Sequence, residues 1–208
     1  FIEDATGNNA IIVTPGAAAN INDDDINANK ELIQASRVFM TQLEQSLDAA
    51  STALSFAKEG GAITILNPAP AQPLEENILK LCDFVTPNEI EAEQITGIPV
   101  KSINDAEIAA GKLLEKGASA AVITLGEQGA LFKDNNQIIH QPSYEVGPVV
   151  ETTGAGDAFN GGLAVALAEE MPIDKALRFA CATASISVTR RGTAPSMPDR
   201  HEIDTLIK

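Results

Sequence analysis

Residues 151–157, Glu-Thr-Thr-Gly-Ala-Gly-Asp, set a carboxylate behind two glycines and at the mouth of a long run of small and apolar residues. Gly154 and Gly156 let the backbone approach a ligand closely and turn its N–H groups outward. A helix beginning at about Ala155 adds unpaired N–H groups and a partial positive charge, which together make an anion site. An acid there would repel a bound phosphate unless it works on a neighbouring hydroxyl. That gives Asp157 a specific candidate role, as general base on an attacking alcohol beside an anion hole for a transferred phosphoryl group. The competing reading is architectural: the glycines shape a turn and Asp157 caps the helix. Gly161 and Gly162 cost about 1 kcal/mol each in helix propensity, which suggests close backbone packing or a nearby ligand.

Other residues could serve the same chemistry. Asn88 and Glu91 lie three apart at a helix start, so both can face one point. Oxygen ligands so placed, with several waters, suit Mg²⁺ carried by a nucleotide. The same pair also resembles a capping box. Thr-Leu-Gly-Glu-Gln-Gly at 124–129 ends an apolar strand with two glycines; these could admit a flat base or phosphates, or serve a hairpin turn. The loop Asn-Pro-Ala-Pro-Ala at 67–71 and Glu44 also fall at strand carboxyl ends.

The elements that must position these residues alternate along the chain. Residues 10–21 read as a strand breaking at Pro15-Gly16, 22–36 as a helix with acidic residues in front, and 37–44 as a strand. A helix over 46–61 closes on a glycine pair, and 62–66 is a short apolar strand. Residues 82–89 form a strand and turn, 90–97 a short helix, and 104–117 an amphipathic helix capped by Asn104 and stopped by Gly117. A strand, a turn and a hairpin around Asp134-Asn135-Asn136 follow. Helices near 155–170, 174–189 and 199–207 close the chain. Apolar strands alternating with helices imply an α/β domain spanning 1–208, with a mostly parallel sheet covered by helices on both faces. In such sheets, ligands sit beyond the carboxyl ends of the strands.

The bulk properties narrow the function. Fourteen Lys and Arg against 29 Asp and Glu give a net charge of −15, which opposes a nucleic-acid or anionic-membrane surface. No run approaches the ~18 apolar residues of a membrane span. No signal peptide is visible. Cys82 and Cys181 read as core thiols in a reducing cytoplasm, and His140 and His201 as surface residues. A dinucleotide-binding dehydrogenase is set aside, because its glycine motif should follow the first strand. Here the motif is late and followed by Asp157.

Taken together, "ETTGAGDAFNGGL", "TPNEIEAEQITG", "NPAPA", "ITLGEQGALF" and "VTRRGTAPSMPDRHEI" resemble the ribokinase family of carbohydrate kinases. The resemblance runs along essentially the whole chain, in the family's order. It implies a Rossmann-type three-layer fold and ATP-dependent phosphorylation of a sugar's primary hydroxyl, with D-ribose at O5 favoured. Related kinases acting on fructose, a nucleoside or another sugar are the alternative, as is a shortened nucleotide-binding chain without catalysis. The resemblance makes Asp157 the catalytic base, in contact with the sugar. It makes the N–H groups of the Gly154, Ala155, Gly156 and Asp157 stretch the anion hole. Asn88 and Glu91 would organise Mg²⁺ and phosphates largely through water. Thr124, Gly126 and Gly129 would form the nucleotide-binding turn, Cys181 would line the adenine pocket, and Glu44 would contact the sugar. A monovalent cation, usually K⁺, is implied at Glu151, Thr153, Ser187, Arg190, Gly192 and Ser196, several acting through backbone carbonyls.

Two departures from the family stand out. Position 151 is normally Asp, and the extra methylene of Glu151 could shift the carboxylate by more than about 1 Å, enough to matter for a reaction that depends on positioning. The family's opening strand–helix units, with a Gly-Gly substrate loop and most of a β lid, do not precede Phe1. Residues 1–9 resemble the end of the last lid strand. On this reading the chain is the carboxyl-terminal part of a kinase whose relatives pair through the lid as homodimers, and alone it is expected to be poorly stable and nearly inactive.

Overall fold

The computed structural model describes Ile12 and residues 14–208, so the lid remnant at 1–9 and, apart from Ile12, the start of the strand expected over 10–21 up to residue 13 lie outside the described residues. By its contacts the chain divides into two compact units.

The larger unit, Thr14–Leu125 with Leu131–His140, is built on a sheet. Helix α1 (Asp23–Ala28) and helix α2 (Lys30–Gln34) precede strand β1 (Val38–Thr41) and helix α3 (Leu47–Gly60). Next come β2 (Ile63–Leu66), α4 (Glu76–Leu79), β3 (Phe84–Val85), α5 (Glu89–Thr96) and α6 (Ile103–Glu115). Strands β4 (Ala120–Thr124), β5 (Ala130–Lys133) and β6 (Ile138–Gln141) complete it. The spatial order is β1-β2-β3-β4-β5-β6, with β1 to β4 parallel. The turn between β5 and β6 is too short for a parallel crossover. Asp134 closes it, its side chain accepting from the N–H groups of Asn136 and Gln137 at 2.7 and 2.8 Å.

The longer helices α3 and α6 each bury a stripe of alanine and leucine. Ala106, Ala109, Ala110 and Leu113 of α6 pack with Ala92 and Ile95 of α5 onto Ala121 and Ile123 of β4. Leu54 of α3 meets Leu66, Ile78, Leu79 and Val85. Val122, between Ala121 and Ile123, is also fully buried. Both faces of this central strand are therefore shielded, as its unbroken apolar run requires.

Three expectations need correction. The helix expected over 22–36 is two helices, because Asn29 leaves helical geometry at φ −111° and ψ 11° and its side chain bonds back to the Asp25 carbonyl. Ser102, not Asn104, caps α6, by accepting from the Asp105 N–H at 3.2 Å. A residue whose hydroxyl reaches the third N–H ahead outcompetes one already inside the first turn. The strand expected over 82–89 is paired as a strand only at Phe84–Val85, because Asn88 turns to cap α5.

The smaller unit contains Gly126–Ala130 and Gln141–Lys208. Its helices are α7 (Ala155–Ala168), α8 (Ile173–Ser187) and α9 (Arg200–Leu206). Gly162 allows α7 and α8 to approach: a Cβ there would lie 2.7 Å from Thr183 Oγ1 and 3.0 Å from Ala180 Cα. The same probe at Gly161 meets nothing within 4 Å. Of the two helix glycines, one answers to packing and the other faces open space.

Candidate active site

Helix α7 starts without a side-chain cap. Its N-cap, Gly154, sits in the left-handed region at φ 81° and ψ 4°, which glycine enters without a Cβ penalty. A Cβ at Gly154 would also come within 3.3 Å of Thr193 Cγ2. The helix's first bond runs from the Ala158 N–H to the Gly154 carbonyl at 2.9 Å. The Ala155 N–H is already donated to the Thr152 carbonyl at 3.1 Å. The N–H groups of Gly156 and Asp157 have no acceptor among the described residues, and both residues are exposed. A Cβ at Gly156 would meet nothing within 4 Å, so the approach is open. The Asp157 carboxylate likewise has no hydrogen-bond partner among the described residues, so it does not cap its own helix.

The segment before α7 is tied to the segment after α8. The N–H groups of Val150 and Glu151 both donate to the Val188 carbonyl, at 2.8 and 3.2 Å. Glu151 is buried, and its Oε2 accepts the Gly192 N–H at 2.9 Å. Ser187 and Ser196 are buried too, their hydroxyls donating to the carbonyls of Ala184 and Thr193 at 2.8 and 2.6 Å. Thr153, half-buried, lies two residues beyond Glu151. Arg190 joins this cluster through its backbone, its N–H donating to the Ser187 carbonyl at 3.2 Å. Its guanidinium pairs instead with both oxygens of Glu202 on α9. That pairing raises the Arg190 pKa and lowers that of Glu202.

Gly129 and Cys181 converge on Gln141. A Cβ at Gly129, where φ is 90°, would sit 2.1 Å from the Gln141 carbonyl oxygen, and the Cys181 thiol lies 3.8 Å from the same oxygen. Gly129 is thus demanded by backbone packing. Burial pushes the Cys181 thiol up to about 12 and Cys82 to the same value, so neither is a thiolate at neutral pH. Gly126 opens a 3-10 turn at φ 53°.

In the sheet unit, polar groups collect where β1 to β4 end. Asn67 donates its backbone N–H to the Thr41 carbonyl at 2.9 Å and its side-chain amide to the Thr86 carbonyl at 3.0 Å. Asn88 and Thr124 form a parallel bridge. Asn88 and Glu91 form a complete capping box: Asn88 Oδ1 accepts the Glu91 N–H, and the Glu91 carboxylate accepts from the Asn88 N–H and Nδ2, all at 2.9 to 3.0 Å. Burial raises the Glu91 pKa, opposed by the Asn88 N–H and reinforced by Glu89. Glu44 is exposed in the loop after β1. Its neighbour Leu43 donates to the Ala69 carbonyl at 2.9 Å, beside a cis Ala69–Pro70 bond. The candidate residues divide between the units: Glu44, Asn88, Glu91 and Thr124 lie in the larger, the rest in the smaller.

Residue types and spacing did not single out Thr193 or Glu202, and named Asn67 only as part of the 67–71 loop. The only local signal was Asn67's place behind an apolar strand.

The pfkB family carbohydrate kinase profile matches residues 1–200. The chain belongs to the pfkB family of carbohydrate kinases. Over 205 residues it is 38% identical to the ribokinase of Haemophilus influenzae, covering 97% of this chain and 66% of that protein. It is 36% identical over 204 residues to the deoxyribokinase of Salmonella typhi, covering 98% of this chain and 66% of that one. The structure of Arabidopsis thaliana ribokinase complexed with ribose and ATP superposes with a TM-score of 0.88 at 30% identity, over 97% of this chain and 65% of that one. The ribokinase-like α/β fold follows from that superposition. The chain thus spans 66% of the length of these curated relatives.

Proposed function

We propose that this chain carries the phosphoryl-transfer centre of an ATP-dependent pfkB-family kinase whose acceptor is the primary hydroxyl of D-ribose, at O5. The carrying observation is the start of α7, where the exposed Asp157 carboxylate and the N–H groups of Gly156 and Asp157 have no hydrogen-bond partner among the described residues. In the proposed step Asp157 takes the O5 proton while O5 bonds to the γ-phosphorus of ATP, whose bond to the β–γ bridging oxygen breaks to release ADP. The Gly156 and Asp157 N–H groups and the helix dipole stabilise the charge on the transferring phosphoryl oxygens.

The residues present fit the accompanying cations to different degrees. The oxygens of Asn88 and Glu91 already accept hydrogen bonds in the capping box, so this pair would hold Mg²⁺ through water, which Mg²⁺ tolerates well. Buried Glu151 has no cationic partner among the described residues. Its backbone N–H donates to the Val188 carbonyl and its Oε2 accepts the Gly192 N–H; its carboxylate, with backbone carbonyls of the 187–196 segment, would supply the oxygen donors that suit a monovalent cation such as K⁺. Bound there, the cations would offset the negative charge of the phosphates.

Deoxyribose is the second reading, favoured by the 36% identity to a deoxyribokinase against 38% to a ribokinase. The test is ADP release by the product of the whole gene with ribose, deoxyribose, fructose and adenosine, with and without K⁺. Ribose-dependent turnover lost in Asp157→Asn supports the proposal, and turnover on deoxyribose alone moves the substrate. ATP binding without turnover on any of the four defeats it.

A further inference from the structure

The last helix, α9, is connected to the phosphate-binding end of α7 by a chain of contacts. Glu202 has two tasks. Within α9 it completes a capping box, accepting the Asp199 N–H at 3.0 Å while its own N–H donates to Asp199 Oδ1 at 3.0 Å. Across the unit it receives both terminal nitrogens of Arg190, a fork-on-fork pairing with more geometric definition than a single contact. Arg190 opens the segment whose Gly192 N–H bonds Glu151 and whose Thr193 packs against Gly154. Because Gly154 is the N-cap of α7, a shift of Thr193 bears directly on the free N–H groups of Gly156 and Asp157.

The geometry points to Glu202 as a positioning residue: through Arg190 it holds the 190–193 segment against Glu151 and Gly154, and so sets the anion affinity of the α7 start. This rests on the kinase reading only for the identity of the anion. Other contacts dock α9 without touching that segment. Arg200 pairs with Glu169 and Asp204 and lies over the Phe179 ring, 5.0 Å from its centroid. Arg178 donates to the Ile207 carbonyl at 3.0 Å. These supply the control that separates positioning from mere attachment of the helix.

Three single variants and the Glu202→Gln/Arg190→Gln double variant, made in the ¹⁵N-labelled product of the whole gene, test this. Glu202→Gln keeps a capping acceptor at the third helical position and loses the charge. Arg190→Gln removes the other partner, and Arg200→Gln loosens α9 elsewhere. The first readout is hydrogen exchange of the Gly192 amide without ligand. The second is the shift response of the Gly156 and Asp157 amides to ADP. We expect Glu202→Gln and Arg190→Gln each to speed Gly192 exchange and weaken the ADP response about threefold, with the double variant no worse than either alone. Arg200→Gln should lower the melting temperature and leave both readouts unchanged. Unchanged Gly192 exchange in Glu202→Gln, or equal acceleration in Arg200→Gln, overturns the proposal. Faster exchange in Glu202→Gln with an undiminished ADP response also overturns it. If the parent's α7 amides ignore ADP, the kinase reading fails, and the Gly192 exchange still decides whether Glu202 holds the segment.

Discussion

Glu151 and Gly192, forty-one residues apart, are joined by a hydrogen bond of 2.9 Å from the Gly192 N–H to Glu151 Oε2. Glu151 is buried, so its side chain is held in place at the base of the loop that precedes α7. The longer arm of Glu151, which stood out in the sequence, reaches this backbone donor. Glu151→Ala should lower unfolding stability by about 2 kcal/mol, the scale of a hydrogen bond to a charged group, and Glu151→Gln by about half that. Urea unfolding measures both. An alanine variant as stable as the parent would show that the bond contributes nothing.

Asp157 should behave differently. Its carboxylate is exposed and has no partner among the described residues, so Asp157→Asn should leave the melting temperature nearly unchanged. Sugar-dependent ADP release by the whole gene product should fall by about 10²- to 10⁴-fold, the range for loss of a general base. Retained turnover in Asp157→Asn would remove Asp157 from the chemistry.

The glycine pair in α7 makes a contrast within one helix turn. Gly162→Ala brings a Cβ to 2.7 Å from Thr183 Oγ1 and 3.0 Å from Ala180 Cα, and overpacking of that kind costs about 1–3 kcal/mol. Gly161→Ala meets nothing within 4 Å and should stabilise by about 0.5–1 kcal/mol through helix propensity. Thermal melts of the two variants should move in opposite directions. Equal shifts would contradict the packing of α7 on α8.

Glu91 predicts a pH effect whose sign follows from burial. Its native pKa is raised above the ordinary 4.5, with desolvation as the main cause. The native state therefore holds this proton to higher pH than the unfolded chain. The associated stability is fully present below the unfolded value and is lost as pH rises through the raised native one. Glu91→Gln, which cannot titrate, should lack that decline. Denaturation midpoints of parent and variant from pH 4 upward, compared as a difference, measure it. A parent that gains stability relative to the variant over that window would reverse the assigned cause.

The geometry of the candidate site at the start of α7 was legible because it is local. Gly154, Gly156 and Asp157 occupy consecutive turn and helix positions, and backbone preference plus the unpaired donors of a first helical turn dictate what they can do. Asn88 and Glu91 were legible as a spacing, yet both readings of it stayed open. The structure shows the capping box complete, and any metal role has to coexist with it. The break of the first expected helix at Asn29 was not legible, because an Asn in a polar run carries no breaking signal until its side chain finds a carbonyl.

By itself the sequence determined the alternation of apolar strands with amphipathic helices, and hence a parallel α/β sheet, since period and turn chemistry are properties of adjacent residues. It also determined the glycine-bounded start of α7. The tertiary structure alone decided that Gly162 packs against α8 while Gly161 faces open space, that Glu151 bonds Gly192, and that Arg190 turns to Glu202. Those pairings join residues from 12 to 41 positions apart. They depend on how helices and loops are brought together, which no local periodicity encodes.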